Sequence, residues 1–156
     1  MTTLSPFSQC LEQVRQIVQG GADRDATLLA VCETLKRNIP HYDWVGFYLV
    51  DPAREQELVL GPYVGAPTEH TRIAFGQGIC GQAAATELTF VIQDVAQETN
   101  YLSCSPDVQS EIVAPIFKDG KVVGEIDIDS HALAPFTPAD QQFLEDVAAL
   151  VAPLLG

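Results

Sequence analysis

Two cysteines and a run of carboxylates offer most of the chemistry in this chain. Cys104 stands between Ser103 and Ser105-Pro106 in a long polar stretch, and Glu111 follows at the head of an apolar run. Beyond it, Gly124-Glu-Ile-Asp127-Ile-Asp129-Ser130 alternates acid with isoleucine. Side chains alternate across a strand, so Glu125, Asp127 and Asp129 point one way while Ile126 and Ile128 point the other. Glu111, Val113 and Pro115 share one face of the preceding run. If the two runs pair with their acid faces together, a carboxylate cluster sits beside a thiol on the preceding loop. Carboxylates at close range raise one another's pKa, so such a cluster keeps a proton near neutral pH and can act as an acid. Glu125 shares the acid parity, but its reading here is a solvated side chain outside the site.

A second thiol, Cys80, lies in Gly76-Gln-Gly78-Ile79-Cys80-Gly81-Gln82-Ala-Ala-Ala85. This is a glycine turn feeding an alanine-rich helix, with Cys80 in or near the first turn. A helix N-terminus favours a thiolate and lowers its pKa. The competing reading is a small residue packed where the helix meets the sheet. The stretch is a poor phosphate loop, because no lysine follows its glycines. Trp44 and Tyr48 fall on one side of Asp43-Trp44-Val45-Gly46-Phe47-Tyr48-Leu49-Val50. They fit either a half-buried sheet face or the wall of a small-molecule pocket. An exposed loop thiol such as Cys104 is a liability unless it is used.

The elements that must position these residues are legible from periodicity. Ser5-Pro6 caps a first helix carrying Cys10, and Gly20-Gly21 stops it. A second helix spans about Asp25 to Arg37, with Leu28, Leu29, Val31, Cys32 and Leu35 as its apolar side. There Cys32 reads as core packing. The β run at 43–50 turns at Asp51-Pro52-Ala53-Arg54 into a partner at 57–63. A short strand follows at 71–75, then the Cys80 helix, then a strand at 90–92 and a polar loop at 94–110. Lys118-Asp119-Gly120 joins the acid-bearing strands as a hairpin. Thr137-Pro138 starts a last helix with Phe143, Leu144, Val147, Leu150 and Val151 at helical spacing. Helices bracketing hairpin strands make an α+β domain: an antiparallel sheet, helices packed on one face and loops over a ligand pocket on the other.

The 156 residues suggest one domain, 1–156, able to bury a real core. A net charge of −13 disfavours nucleic acid and anionic membrane surfaces as partners. No apolar run approaches the ~20 residues of a membrane span. The start, Met-Thr-Thr-Leu-Ser-Pro, is unlike a signal peptide, so the expected address is the cytoplasm. No Cys-x-x-Cys pair occurs and the three histidines are scattered, which argues against a structural zinc site.

Five stretches together resemble a known family. Trp44-Val-Gly-Phe-Tyr-Leu, Leu58-Val-Leu-Gly-Pro-Tyr, Gly76-Gln-Gly-Ile-Cys-Gly, Ser110-Glu-Ile-Val-Ala-Pro-Ile and Gly124-Glu-Ile-Asp-Ile-Asp-Ser are similar in order and spacing to the free methionine-(R)-sulfoxide reductases. These are small stand-alone GAF-domain enzymes. The resemblance implies a GAF fold, catalytic roles for Cys104, Cys80, Glu111, Asp127 and Asp129, and a substrate pocket of Trp44, Tyr48 and the same three acids. It implies thioredoxin as reductant, free methionine sulfoxide as substrate, the R epimer and a homodimer; no cofactor and no metal are expected. One position departs: His70, in Glu69-His70-Thr71-Arg72-Ile73, stands about where the family commonly carries a further cysteine. The expected mechanism has Cys104 attack the sulfoxide and Cys80 resolve the resulting sulfenic acid. The reverse assignment stays open, because nearby carboxylates disfavour a thiolate at Cys104 while the helix position favours one at Cys80. Two rival readings are a ligand-binding sensor without turnover, and a Cys80–Cys104 redox switch.

Overall fold

The structure, a computed structural model, describes residues 5–102 and 105–156. Helix α1 (Pro6–Gln19) begins where Ser5 Oγ accepts the Ser8 N–H at 3.1 Å, with proline in its first turn. Helix α2 (Arg24–Asn38) is capped by Asp23, which accepts the Ala26 N–H at 2.9 Å. Its buried stripe is Leu28, Val31, Cys32 and Leu35 at helical spacing, whereas Leu29 points outward and is 40% exposed. Six strands follow: β1 (Trp44–Asp51), β2 (Arg54–Val64), β3 (Arg72–Ala74), β4 (Phe90–Ile92), β5 (Ser110–Lys118) and β6 (Lys121–Ser130). Helix α3 (Gly78–Thr86) lies between β3 and β4, and α4 (Pro138–Val151) follows β6.

All strand pairs are antiparallel, in the order β3-β2-β1-β6-β5-β4. The sheet has two unlike faces, and the alternation along each strand decides which residues meet on them. Val45, Phe47, Ile112, Ala114, Ile116, Ile126 and Ile128 join residues of α1, α2 and α4 in the main apolar core. The opposite face carries Trp44, Tyr48 and Val113 against Leu58, Ile73, Ile79, Cys80 and the alanines of α3. So three helices cover one face, as expected, while α3 joins the loops on the other. Each fully buried isoleucine of β6 stabilises the fold by roughly 1.5–3 kcal/mol, which fixes the strand's facing.

The hairpin at the centre of the site closes with Lys118 opposite Lys121, leaving Asp119 and Gly120 as a two-residue loop. Both have positive φ, 53° and 76°, the backbone of a type I′ turn that matches strand twist. Helix α4 starts with a capping box. Thr137 Oγ1 accepts the Asp140 N–H, and Asp140 Oδ2 accepts the Thr137 N–H at 2.8 Å. Asp140 also receives the Tyr42 hydroxyl at 2.8 Å, which ties the helix to the approach to β1.

Candidate functional site

Register decides the site. Glu111 of β5 sits opposite Asp129 of β6, Val113 opposite Asp127 and Pro115 opposite Glu125. On the other side of β6, Trp44 faces Asp129 and Tyr48 faces Glu125. The acid faces therefore meet, as the alternation predicts, and the two aromatics of β1 complete the same surface. Helix α3 covers it and brings Cys80 down onto the acids. The Cys80 Sγ donates to Asp127 Oδ2 at 3.3 Å and lies 3.9 Å from Glu111 Oε2.

The acids are buried: Asp127 and Asp129 are each 1% exposed and Glu125 is 0% exposed. No ion pair involves these three among the described residues. Both oxygens of Glu125 and of Asp129, and Oδ1 of Asp127, have no hydrogen-bond donor among the described residues. Burial pushes all three carboxyls above their usual range, and the Asp127 charge raises Glu125 and Asp129 further. Glu125 and Asp129, raised the furthest, hold protons that an exposed carboxylate would lose. Glu125 thus corrects the sequence reading, which left it outside the site as a solvated side chain. The signal that includes it was its parity with Asp127 and Asp129.

Of the two readings of Cys80, burial favours the residue packed where the helix meets the sheet. It is the third residue of α3, yet its thiol is held well above the ordinary value, by burial first and then by Asp127, Glu125 and Glu111. The helix terminus does not offset this burial and charge. Gly78 N–H donates to Asn100 Oδ1 at 2.8 Å, and Asn100 Nδ2 returns a bond to the Gly76 carbonyl at 2.8 Å. Gln82 Nε2 also donates to the Asn100 carbonyl at 2.9 Å, so one asparagine ties the polar loop to the start of α3. At Gly78, where φ is +64°, a Cβ would stand 2.8 Å from Leu102 Cγ, so glycine lets that loop close over the chamber. Cys80 is a proton-bearing thiol resting on an acid.

Trp44 stacks on Tyr63 at 5.2 Å between ring centroids and on Tyr48 at 6.4 Å. Its indole N–H donates to the Ala66 carbonyl at 2.9 Å, and the Tyr48 hydroxyl donates to the His70 carbonyl at 2.8 Å. The apolar bodies of both rings therefore face the acid surface, with their polar ends satisfied elsewhere. Tyr48, His70, Ile73, Gly78, Ile79, Cys80, Leu102, Glu111 and Asp127 enclose a small cavity of about 10 Å³, room for about one water. Trp44 and Asp129 lie outside its lining, paired opposite each other on the same sheet face. His70, which the resemblance sets about where that family commonly carries a further cysteine, is part of this wall. Cys104 lies outside the described residues. A much larger groove of about 500 Å³ opens between Arg24, Asp51, Lys121 and Gly156. It holds no thiol and none of the acids of β6, so the chemistry points to the small chamber.

Comparison with known proteins bears on this geometry. The GAF domain family profile matches residues 23–155. The chain is 37% identical to GAF domain-containing protein A of Dictyostelium discoideum, over 93% of this chain and 89% of that one. It is 34% identical to the free methionine-R-sulfoxide reductase of Escherichia coli, over 84% of this chain and 77% of the relative. Among solved structures, the free methionine-R-sulfoxide reductase of Neisseria meningitidis in complex with its substrate superposes with a TM-score of 0.90 at 37% identity. That match covers 99% of this chain and 92% of the other.

Proposed function

We propose that this chain, which belongs to the GAF-domain family, reduces free methionine-(R)-sulfoxide to methionine with its own thiols. The observation that carries the reading is the enclosed surface on which Glu111, Glu125, Asp127, Asp129 and the Cys80 thiol meet beside two aromatic rings. Its likeness to reductases of that substrate over most of the chain supports it.

A sulfoxide sulfur becomes a good electrophile only when its oxygen is protonated. Buried carboxyls that keep a proton near neutral pH supply that acid. The substrate's ammonium group ionises and pairs with the remaining acids, which favours a free amino acid over a peptide. Trp44 packs against the S-methyl group and, through its π face, against the cationic sulfur as it forms. Cys104 attacks that sulfur, the oxygen passes to Cys104 as a sulfenic acid, and methionine leaves. Cys80 then attacks the sulfenic sulfur. Its thiol proton passes to Asp127, the sulfenic oxygen departs as water with a proton from the acid cluster, and a Cys80–Cys104 disulfide forms. Thioredoxin resets the pair by thiol–disulfide exchange. Cys80, held as a thiol, suits the second step better than the first. An amino acid needs more room than one water, so binding requires the wall formed by Leu102 and Gly78 to open.

The chain acts as a single domain in the cytoplasm, and as a homodimer, a reading that rests on the family likeness; no helix among the described residues is long and apolar enough to cross a membrane. The test is NADPH consumption in a thioredoxin-coupled assay with each epimer of free methionine sulfoxide. Consumption with the R epimer alone is expected, and none with either epimer leaves a ligand-binding sensor. A sulfenic-acid probe assigns the thiols. Label is expected on Cys80→Ser and absent on Cys104→Ser, and the reverse pattern exchanges their roles.

A further inference from the structure

The chamber gathers ligating atoms at the spacing of a metal centre. Cys80 Sγ, a Glu111 carboxyl oxygen and an Asp127 carboxyl oxygen all lie within 4.8 Å of one another. The sulfur stands 3.3 Å from Asp127 Oδ2 and 3.9 Å from Glu111 Oε2. With Zn–S near 2.3 Å and Zn–O near 2.0 Å at tetrahedral angles, neighbouring sulfur and oxygen ligands stand about 3.5 Å apart. The observed pair of distances straddles that value.

Two further observations point to a cation. Asp127 Oδ1 and both oxygens of Glu125 are buried with no donor among the described residues, and Glu125 lies close enough to the Cys80 thiol to act on it electrostatically. Buried acceptors left without a donor are costly, and a cation is the partner that compensates them. The cavity beside Cys80, Glu111 and Asp127 has room for about one water, hence for one ion, without moving a wall. The spacing that argues against a structural zinc site concerned cysteine and histidine sets. One thiol with two carboxylates is a different ligand set.

We propose that Cys80, Glu111 and Asp127 bind one thiophilic divalent cation of the zinc class, and that the bound cation excludes the amino-acid substrate. Binding moves no electrons. The Cys80 S–H proton and any carboxyl proton leave to solvent, the thiolate and two carboxylates become ligands, and water fills the fourth position. The exclusion rests on the reductase reading above, since the same acids would hold the substrate's ammonium group; the binding does not.

The experiment titrates the reduced full-length protein with Co²⁺ in chelator-free buffer and follows the sulfur-to-cobalt charge-transfer absorption in the near ultraviolet. One ion per chain is expected to saturate the band. Cys80→Ser should abolish it, Asp127→Asn should weaken binding about tenfold or more, and Cys104→Ser should leave it in place. Thermal melts verify that each variant is folded, and Asp127→Asn decides the matter should Cys80→Ser fail to fold. No band in the wild type, an undiminished band in Cys80→Ser, or unchanged affinity in Asp127→Asn overturns the site. Zn²⁺ should raise the KM for methionine sulfoxide with kcat unchanged, and inhibition that lowers kcat alone overturns the exclusion. Cobalt binding by a protein that reduces no methionine sulfoxide keeps the site and removes the reductase reading.

Discussion

Replacing Glu125 by glutamine tests whether the chamber holds protons. The carboxyl is wholly buried, and burial with the neighbouring Asp127 charge holds it well above its ordinary value of 4.5. In the unfolded chain it ionises near that ordinary value. Between the two values the folded state therefore binds one more proton than the unfolded state, and stability must fall as pH rises. One extra bound proton corresponds to about 1.4 kcal/mol lost per pH unit. Over one pH unit inside that window, Glu125 alone removes about 1.4 kcal/mol, or about 3–6 °C of Tm for a chain of this size. Glutamine cannot ionise, so the variant's stability should decline less steeply by that amount over the same interval. Urea melts followed by the fluorescence of the single tryptophan, Trp44, measure both slopes. Equal slopes in wild type and variant would mean that Glu125 is ionised in the folded protein, and the proton-holding chamber would be wrong.

Gly46→Ala puts a Cβ into the Trp44 ring and 2.8 Å from Tyr63 Cβ. The expected cost is about 1–3 kcal/mol, with a raised KM as the indole is displaced, read by melts and initial rates. Asp140→Ala removes the α4 capping box and the acceptor of the Tyr42 hydroxyl, so about 2–4 kcal/mol of stability should be lost in urea melts. Cys80, raised by burial and three acids, should react with iodoacetamide at pH 8 at least about tenfold more slowly in the folded protein than in urea, as followed by mass spectrometry. Equal rates would place an ionised thiol in the chamber.

The alternation Glu-Ile-Asp-Ile-Asp in β6 told which side chains share a face. The turn at Asp119-Gly120 told that β5 would fold back beside them. Together they made the acid cluster readable from sequence, but the central pairing of β1 with β6, which joins strands far apart in the chain and brings Trp44 and Tyr48 beside the acids, was not. Burial was not readable. Alternation places Glu125 on the acid face but does not reveal that α3 and the polar loop cover that face along its length, so a solvated glutamate looked adequate. The choice between the two readings of Cys80 was closed to sequence for a related reason. A position in the first turn of a helix is visible in sequence, but its electrostatics depend on what the turn touches: the thiol is buried, and three acids act on it. Leu29 shows the same limit on a helix, where an apolar residue next to the buried stripe turns outward.

Strand β6 presents isoleucines to the apolar core and carboxylates to the chamber on alternate residues. A slip of one position against β1 or β5 would exchange the two sets. Three acids would then enter the core, at several kcal/mol for each that stayed charged. Pairing errors at the middle of the sheet are therefore self-rejecting, and the groups reserved for chemistry also proofread assembly. A variant with valine at 125, 127 and 129 would be relieved of its buried acids, but its central strand would read alike from either side, with little left to tell the right alignment from a shifted one.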